Sequence, residues 1–239
     1  MGQSPRLLTV QNGPTGGPGR WGDWLAERDI ALDVVHGYRE QPLPRRLDHD
    51  GLLVLGGSYL PDEDDRAPWL APTRALVDQA LERGVPVFGI CLGGQMLAQV
   101  AGGQVRGQWG TPEFGSTRLE LRPEADADPL FGQLPGTVTA IENHVDQITE
   151  LPAEAHWLAS SEHCPHQAFR VGDTAWGVQF HPEAGAQRLA HWGEERLNRH
   201  GVDREELRRA AERDEPTSEP VWRQVADRFA AQVRERSAA

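Results

Sequence analysis

Apolar residues along the chain gather in short β-branched runs, set between glycine-rich turns and stretches with helical spacing. Arg6–Gln11 (RLLTVQ), Ala31–Tyr38 (ALDVVHGY), Gly51–Leu55 (GLLVL) and Val85–Ile90 (VPVFGI) read as successive strands, the last two apolar enough to be buried on both faces. Helical spacing falls between them. One helix begins near Trp21–Trp24, and Pro72–Arg83 carries a Leu76, Ala80, Leu81 stripe with Gly84 as its stop. A third helical pattern opens at Gln95, just past Cys91. Strands alternating with helices at this spacing predict βαβ units and an open, mostly parallel central sheet with helices on both faces.

The pattern changes from Gly102 to Thr139. Thr117–Leu121 alternates like a half-exposed strand, followed by short runs at Val138–Ile141, Leu158–Ser161 and Gln167–Val171, which together predict a small antiparallel addition. Thr174–Phe180 (TAWGVQF) reads as a buried strand that delivers His181-Pro182-Glu183. Beyond Glu183 the chain turns charged and helical. Leu189–Leu197 suits a helix, Val202–Arg213 is polar nearly all round, and Pro216 to Pro220 is expected to break the chain. Val221, Val225, Phe229 and Val233 then recur every fourth residue on a closing helix. The expected organisation is one α/β domain over residues 1–185, with 186–239 a helical extension packed on it.

Composition narrows the function. A net charge of −12 argues against nucleic acid or an anionic membrane surface as partner. The 239 residues contain no lysine, which removes Schiff-base chemistry and a phosphate-binding Gly-Lys-Ser/Thr loop. The N-terminal MGQSPRLLTVQNG lacks the profile of a secretion signal, and no apolar run reaches the ~20 residues of a membrane span. Two cysteines, Cys91 and Cys164, are too few for a disulfide framework, and no Cys/His spacing matches a zinc site. The expectation is a cytoplasmic protein without metal or organic cofactor.

Within that frame Val85–Leu97 (VPVFGICLGGQML) is the stretch that carries chemistry. Cys91 stands at a sharp strand-to-helix turn flanked by Gly89, Gly93 and Gly94, the arrangement of a nucleophile elbow. The helix N-terminus that follows favours a thiolate there. A thiol nucleophile needs a base and a group to orient it. Of nine histidines, His181 is best placed, at the end of a central strand on the same rim, and Glu183 lies two residues on to fix its tautomer. His144 is the one rival base. The other seven, His191 among them, lack strand-end placement. Gly56-Gly57 ends the GLLVL strand, where free backbone N–H groups face a developing negative charge. The glycine-rich loop after the first strand (NGPTGGPGRWGDWL) has no GxGxxG frame and reads as the edge of a pocket.

GICLGGQ around Cys91 and QFHPE around Glu183, in that order, resemble the two signatures of class I glutamine amidotransferases. The resemblance covers Arg6 to Glu183. Within the family it is nearest to stand-alone proteins similar to the amidotransferase domain of GMP synthase, through GPGRWGDWL, DPLFGQLPG, CPHQAFRVG and AWGVQFHPE. It implies a flavodoxin-like sheet and a Cys91–His181–Glu183 triad acting through a γ-glutamyl thioester. It also implies an oxyanion hole from the backbone N–H groups of Gly57 and Leu92, and a glutamyl grip from Gln95, Asn143 and His144.

The implied substrate is glutamine or a γ-glutamyl amine, and the implied partner is an ammonia-accepting synthase subunit. Val145 stands where many relatives carry the glycine of a His-Gly-Asp motif, a departure that favours a second reading, a stand-alone γ-glutamyl hydrolase. A non-catalytic binding protein of the same fold is the third, and the intact Cys–His–Glu set counts against it.

Overall fold

A computed structural model describes residues 4–238. Its elements are β1 (Arg6–Gln11), α1 (Gly19–Ala26), β2 (Ala31–His36), β3 (Gly51–Val54), α2 (Leu70–Arg83), β4 (Val87–Ile90), α3 (Leu92–Val100), β5 (Gln104–Arg106), β6 (Glu113–Leu121), β7 (Thr137–His144), β8 (Gln147–Glu150), β9 (His156–Ser160), β10 (Ala168–Val171), β11 (Ala175–Val178), α4 (Glu194–Arg199) and α5 (Arg204–Ala238).

Nine strands form one sheet in the order β2-β1-β3-β4-β11-β10-β9-β6-β7. From β2 through β11 every pairing is parallel, in the apolar runs that must be covered on both faces. From β11 outward the sheet continues antiparallel, the addition expected from the alternating runs. Strands β5 and β8 pair as a separate antiparallel ribbon. The chain reverses direction across the sheet between β1 and β3, which opens a crevice at the carboxyl ends of the parallel strands.

The two faces hold separate cores. On one, Trp21 of α1 and Phe229 of α5 meet Phe88 of β4, with ring centroids 4.2 and 5.6 Å from it. On the other, Leu76 and Val77 of α2 and Met96 and Leu97 of α3 cover Leu8, Leu52, Val54 and Val87. Helix α3 begins at Leu92, ahead of the expected start at Gln95. Gly93 and Gly94 lie inside it. A Cβ on Gly93 would stand 2.0 Å from Val54 O and one on Gly94 2.5 Å from Val178 O. Both glycines therefore let α3 lie directly against the backbones of β3 and β11.

The C-terminal expectations need two corrections. Leu189–Leu197 is not one helix. A 3₁₀ turn over Ala186–His191 is separated from α4 by extended backbone at Trp192 and Gly193. Nor do the prolines break the chain: α5 runs 35 residues with Pro216 and Pro220 inside it. Each proline removes a helical hydrogen bond at a cost of roughly 3 kcal/mol. The helix continues through them because Trp222, Val225, Ala226, Phe229, Ala230 and Val233 are buried in the same cluster as β4 and β11. Trp222 also donates its indole N–H to Thr139 O at 2.9 Å. Among the described residues no helix is long and apolar enough to cross a membrane.

Candidate active site

Cys91 follows β4 directly and forms the N-cap of α3. Its N–H is held by Val178 O at 2.8 Å. Its backbone takes φ 51°, ψ −107°, a region non-glycine residues enter only when their surroundings enforce it. The tight strand-to-helix turn enforces it here and leaves the side chain 6% exposed at the mouth of the crevice. The thiol sits over the positive end of the α3 dipole. Gln179 donates its amide toward Sγ at 3.7 Å.

His181 arrives two residues after Gln179, on the backbone that continues from β11, and is anchored by its N–H to Ile141 O at 2.7 Å. Its Nδ1 lies 2.9 Å from Glu183 Oε1, so the ring donates there to a carboxylate that only accepts. Burial opposes charge on the ring, but the Glu183 carboxylate and hydrogen bonds with Cys91 and Glu183 outweigh it and raise His181 to about 10. Burial also pushes Glu183 up. The charge and hydrogen bond of His181 and the charge of Arg188 bring it below the usual carboxylate value. Gly56 is the floor between His181 and Cys91: a Cβ there would lie 2.8 Å from His181 Cε1 and 3.5 Å from Cys91 Cβ.

These groups share one cavity of about 530 Å³, lined by Cys91, His181 and Glu183 together with Gly57, Gln95, Asn143 and His144. Its size is that of a small-molecule site. Leu92 is buried beside Gly57. As the first residue of α3 its N–H has no partner within the helix, and the Gly57 N–H has no backbone acceptor among the described residues. Gln95 is 2% exposed, and its amide N–H bonds reach Gln179 Oε1 (3.2 Å) and Asp146 O (3.3 Å). His144 faces the cavity with its backbone. Its ring is turned into the core against Glu113 at 3.1 Å, away from the thiol. Val145 has an ordinary negative φ, so a β-branched residue is accommodated there without strain. The loop Gly13–Gly16 forms the rim, as the glycine-rich stretch after β1 led one to expect.

Several lining residues were not singled out from the sequence. Arg188 donates to Glu183 Oε1 at 2.8 Å and to the carbonyls of Thr15 (3.1 Å) and Gly17 (2.7 Å). Arg196 donates to Asn143 Oδ1 at 2.7 Å, and His191 and Trp192 complete that wall. All four come from the segment after His-Pro-Glu, where the break at Trp192–Gly193 turns the chain back over the cavity. The one sequence signal for them was the cluster of cations immediately after the motif.

The second cysteine is a different kind of group. Cys164 is fully buried, and burial together with the carboxylates of Glu142 and Glu113 holds its thiol far above the ordinary range. That makes it inert as a nucleophile. Glu142 is likewise held well above the usual carboxylate range, by burial and by Glu113.

Comparison with known proteins places this geometry among relatives. The family model for glutamine amidotransferase class-I matches residues 23–192. A glutamine-hydrolysing GMP synthase subunit from Thermoplasma volcanium is 34% identical over 184 residues, covering 74% of this chain and 83% of that protein. The corresponding protein of Pyrococcus abyssi is 40% identical over 163 residues, covering 67% and 81%. The chain covers far less of undivided GMP synthases, 20% of that of Streptococcus mutans at 37% identity. Among solved structures, a glutamine amidotransferase from Thermotoga maritima superposes with a TM-score of 0.85 at 27% identity, over 96% of this chain and 99% of that one. One from Methylobacillus flagellatus gives 0.84 at 28%, over 97% and 96%.

Proposed function

The chain belongs to the class I glutamine amidotransferase family, and on that premise we propose that it hydrolyses the side-chain amide of glutamine, or of a γ-glutamyl amine, through a thioester on Cys91. One observation carries the reading. A cysteine in an enforced left-handed turn, a histidine facing it across Gly56 and a carboxylate bonded to that histidine open together on a single cavity.

The geometry supports the following sequence. The Cys91 thiolate attacks the γ-carbonyl carbon, and the oxygen takes up the charge facing the N–H groups of Gly57 and Leu92. His181, protonated at neutral pH, gives its proton to the leaving nitrogen as the C–N bond breaks. Acylation removes the Cys91 charge and hydrogen bond that help hold the His181 proton. The ring then takes a proton from water, which attacks the thioester and releases glutamate and the thiolate. Glu183 keeps Nδ1 protonated through both steps, leaving Nε2 for the transfers.

One observation keeps the γ-glutamyl amine reading beside glutamine: His191, Trp192 and Arg196 add a wall to the cavity. The relatives that are separate chains of GMP synthase support ammonia transfer to a separate synthase chain as the fate of the released nitrogen when glutamine is the substrate.

The test is glutamate release by the purified protein from glutamine and from a panel of γ-glutamyl amines, beside a Cys91→Ala control. Turnover that disappears in the control is expected. Preference for the amines selects the stand-alone hydrolase, and preference for glutamine selects the ammonia donor. Release that persists unchanged in Cys91→Ala overturns the assignment of the nucleophile.

A further inference from the structure

Behind the cavity wall, two strands and a loop converge on a second cluster that the reaction does not use. Glu113 opens β6, Glu142 and His144 lie at the end of β7, and Cys164 sits in the loop before β10. Ligand atoms of Glu113, His144 and Cys164 all lie within 4.8 Å of one another, and all three residues are buried. Glu142 Oε2 lies 3.4 Å from His144 Nε2. Its carboxyl is 0% exposed, yet neither oxygen has a hydrogen-bond partner.

The imidazole fixes the character of this cluster. His144 Nδ1 lies 3.2 Å from Asp146 O, a carbonyl that only accepts, so a ring that keeps its proton on Nδ1 presents Nε2 as a ligand. The lone pair of Nε2 then faces Glu113 Oε2 at 3.1 Å and Glu142 Oε2 at 3.4 Å. An imidazole nitrogen, a carboxylate oxygen and a thiol sulfur thus lie within reach of one ion, with the unpartnered Glu142 carboxyl beside them. A ring that donates from one nitrogen to a backbone carbonyl and presents the other to anions is the arrangement of a metal-bound histidine. Glu113 is itself oriented from outside, by Ser161 Oγ at 2.7 and 2.9 Å and by Gln167 Nε2 at 2.8 Å, as ligating carboxylates are.

We propose that Glu113, Glu142, His144 and Cys164 form a binding site for one divalent transition-metal ion. One imidazole, one thiolate and two carboxylates select zinc over the hard ions magnesium and calcium, which take oxygen ligands. An entry route exists, because Glu113 and Ser161 also line an open surface cleft. Metal here pins the end of β7, from which Asn143 and His144 reach the substrate cavity. Its role is to hold the wall of the site, with no part in the bond-breaking steps. Spacing along the chain could not disclose the site, since its ligands come one or two at a time from two strands and a loop.

The experiment uses the full chain, purified without chelator and assayed for zinc by elemental mass spectrometry. It is then stripped and titrated with cobalt(II), with absorption as readout. About one equivalent of zinc is expected, together with a near-ultraviolet thiolate-to-cobalt band that persists in Cys91→Ser and vanishes in Cys164→Ser. Glu142→Gln, which keeps the shape of the side chain, is expected to weaken cobalt binding by at least about tenfold. The proposal is overturned if the folded wild-type chain takes up neither metal, if the band follows Cys91 rather than Cys164, or if Glu142→Gln binds cobalt with full affinity.

Discussion

Arg188 grips Glu183 through the same carboxylate oxygen, Oε1, that receives the proton of His181, at 2.8 Å against 2.9 Å for the histidine. Glu183 Oε2 has no hydrogen-bond partner. The orientation of the acid therefore rests on one oxygen shared between the base and a cation from the segment after the motif. Because Arg188 also holds Thr15 O and Gly17 O, the guanidinium ties the glycine-rich rim to the His181–Glu183 pair.

Arg188→Gln is expected to lower kcat about tenfold, roughly 1.4 kcal/mol of transition-state stabilisation. Loss of a partner from a buried carboxylate should lower stability by on the order of 1–3 kcal/mol. Glu183→Gln, which leaves the histidine without an acceptor, should cost more, about 10³- to 10⁴-fold in kcat by analogy with other triads. Steady-state kinetics on both variants checks the order. Equal losses would mean that Arg188 does more than position the acid.

The coupled pair gives stability a defined pH dependence. His181 is raised from 6.5 to about 10, so its contribution is complete below about pH 6.5 and is lost as pH rises through about 10. Glu183 is lowered from 4.5, so its contribution is present above about pH 4.5 and is lost as pH falls through its folded value. Melting temperature should thus decline from pH 6.5 toward 10, and again in acid. Burial raises Glu142 from 4.5 and Cys164 from 9.0, which adds slopes of the same sign starting above about pH 4.5 and about pH 9. The diagnostic quantity is therefore the difference between wild type and His181→Asn, which should shrink between pH 6.5 and 10. A difference that is flat with pH would contradict the ion pair.

Two glycines of the site should fail in different ways. On Gly56 an added methyl meets His181 Cε1 at 2.8 Å, the movable end of a side chain. On Gly93 it meets Val54 O at 2.0 Å, which is fixed backbone. Gly56→Ala is expected to displace the base and reduce kcat by about 10²-fold with little change in melting temperature. Gly93→Ala forces α3 off β3 and should destabilise by at least about 1–3 kcal/mol. A fully active Gly56→Ala enzyme would show that the base has more freedom than this packing allows.

What was legible in the sequence was what local chemistry determines. The parallel strands announced themselves as apolar runs, and the reactive groups lay at their ends beside glycines, within motifs only a few residues long. What was not legible depended on packing between distant segments. Pro216 and Pro220 read as a break because local backbone chemistry opposes a helix there. The helix persists because Trp222 and Phe229 are buried against the sheet. Arg188 and Arg196 read as two among many charged residues, since nothing local foretold that Trp192 and Gly193 would extend and fold that segment over the cavity. Gly93 and Gly94 were legible as part of the turn at Cys91, but not as the points where α3 meets the backbones of other strands.

The closing helix carries enough burial to be tested directly. Phe229 is fully buried and touches the rings of Trp21, Phe88 and Trp176. Phe229→Ala is expected to cost about 3–5 kcal/mol, read from denaturant midpoints, with unfolding still a single transition. Separate melting of the helix before the sheet would show that it is not part of the same cooperative unit.

Arg196 faces the cavity as a cation without an acidic partner among the described residues. It donates to the neutral Asn143 amide oxygen at 2.7 Å and lies over the Phe114 ring, 5.3 Å from its centroid. Burial lowers its pKa, partly offset by the nearby Cys91 and Asp146, so the guanidinium has given up hydration without gaining a full counter-ion. A carboxylate on the substrate would restore what it lost, and every γ-glutamyl compound with a free α-carboxylate brings one. Arg196→Gln is therefore expected to raise KM about 10- to 100-fold, the worth of one charge-assisted hydrogen bond, while kcat changes little. Arg196→Lys should recover only part of the affinity, because an ammonium cannot offer the planar fork to a carboxylate and to Asn143 together. Substrates whose α-carboxylate is blocked as an amide should bind wild type and Arg196→Gln equally. If the variant instead loses kcat at unchanged KM, Arg196 acts on the transition state and not on the bound carboxylate.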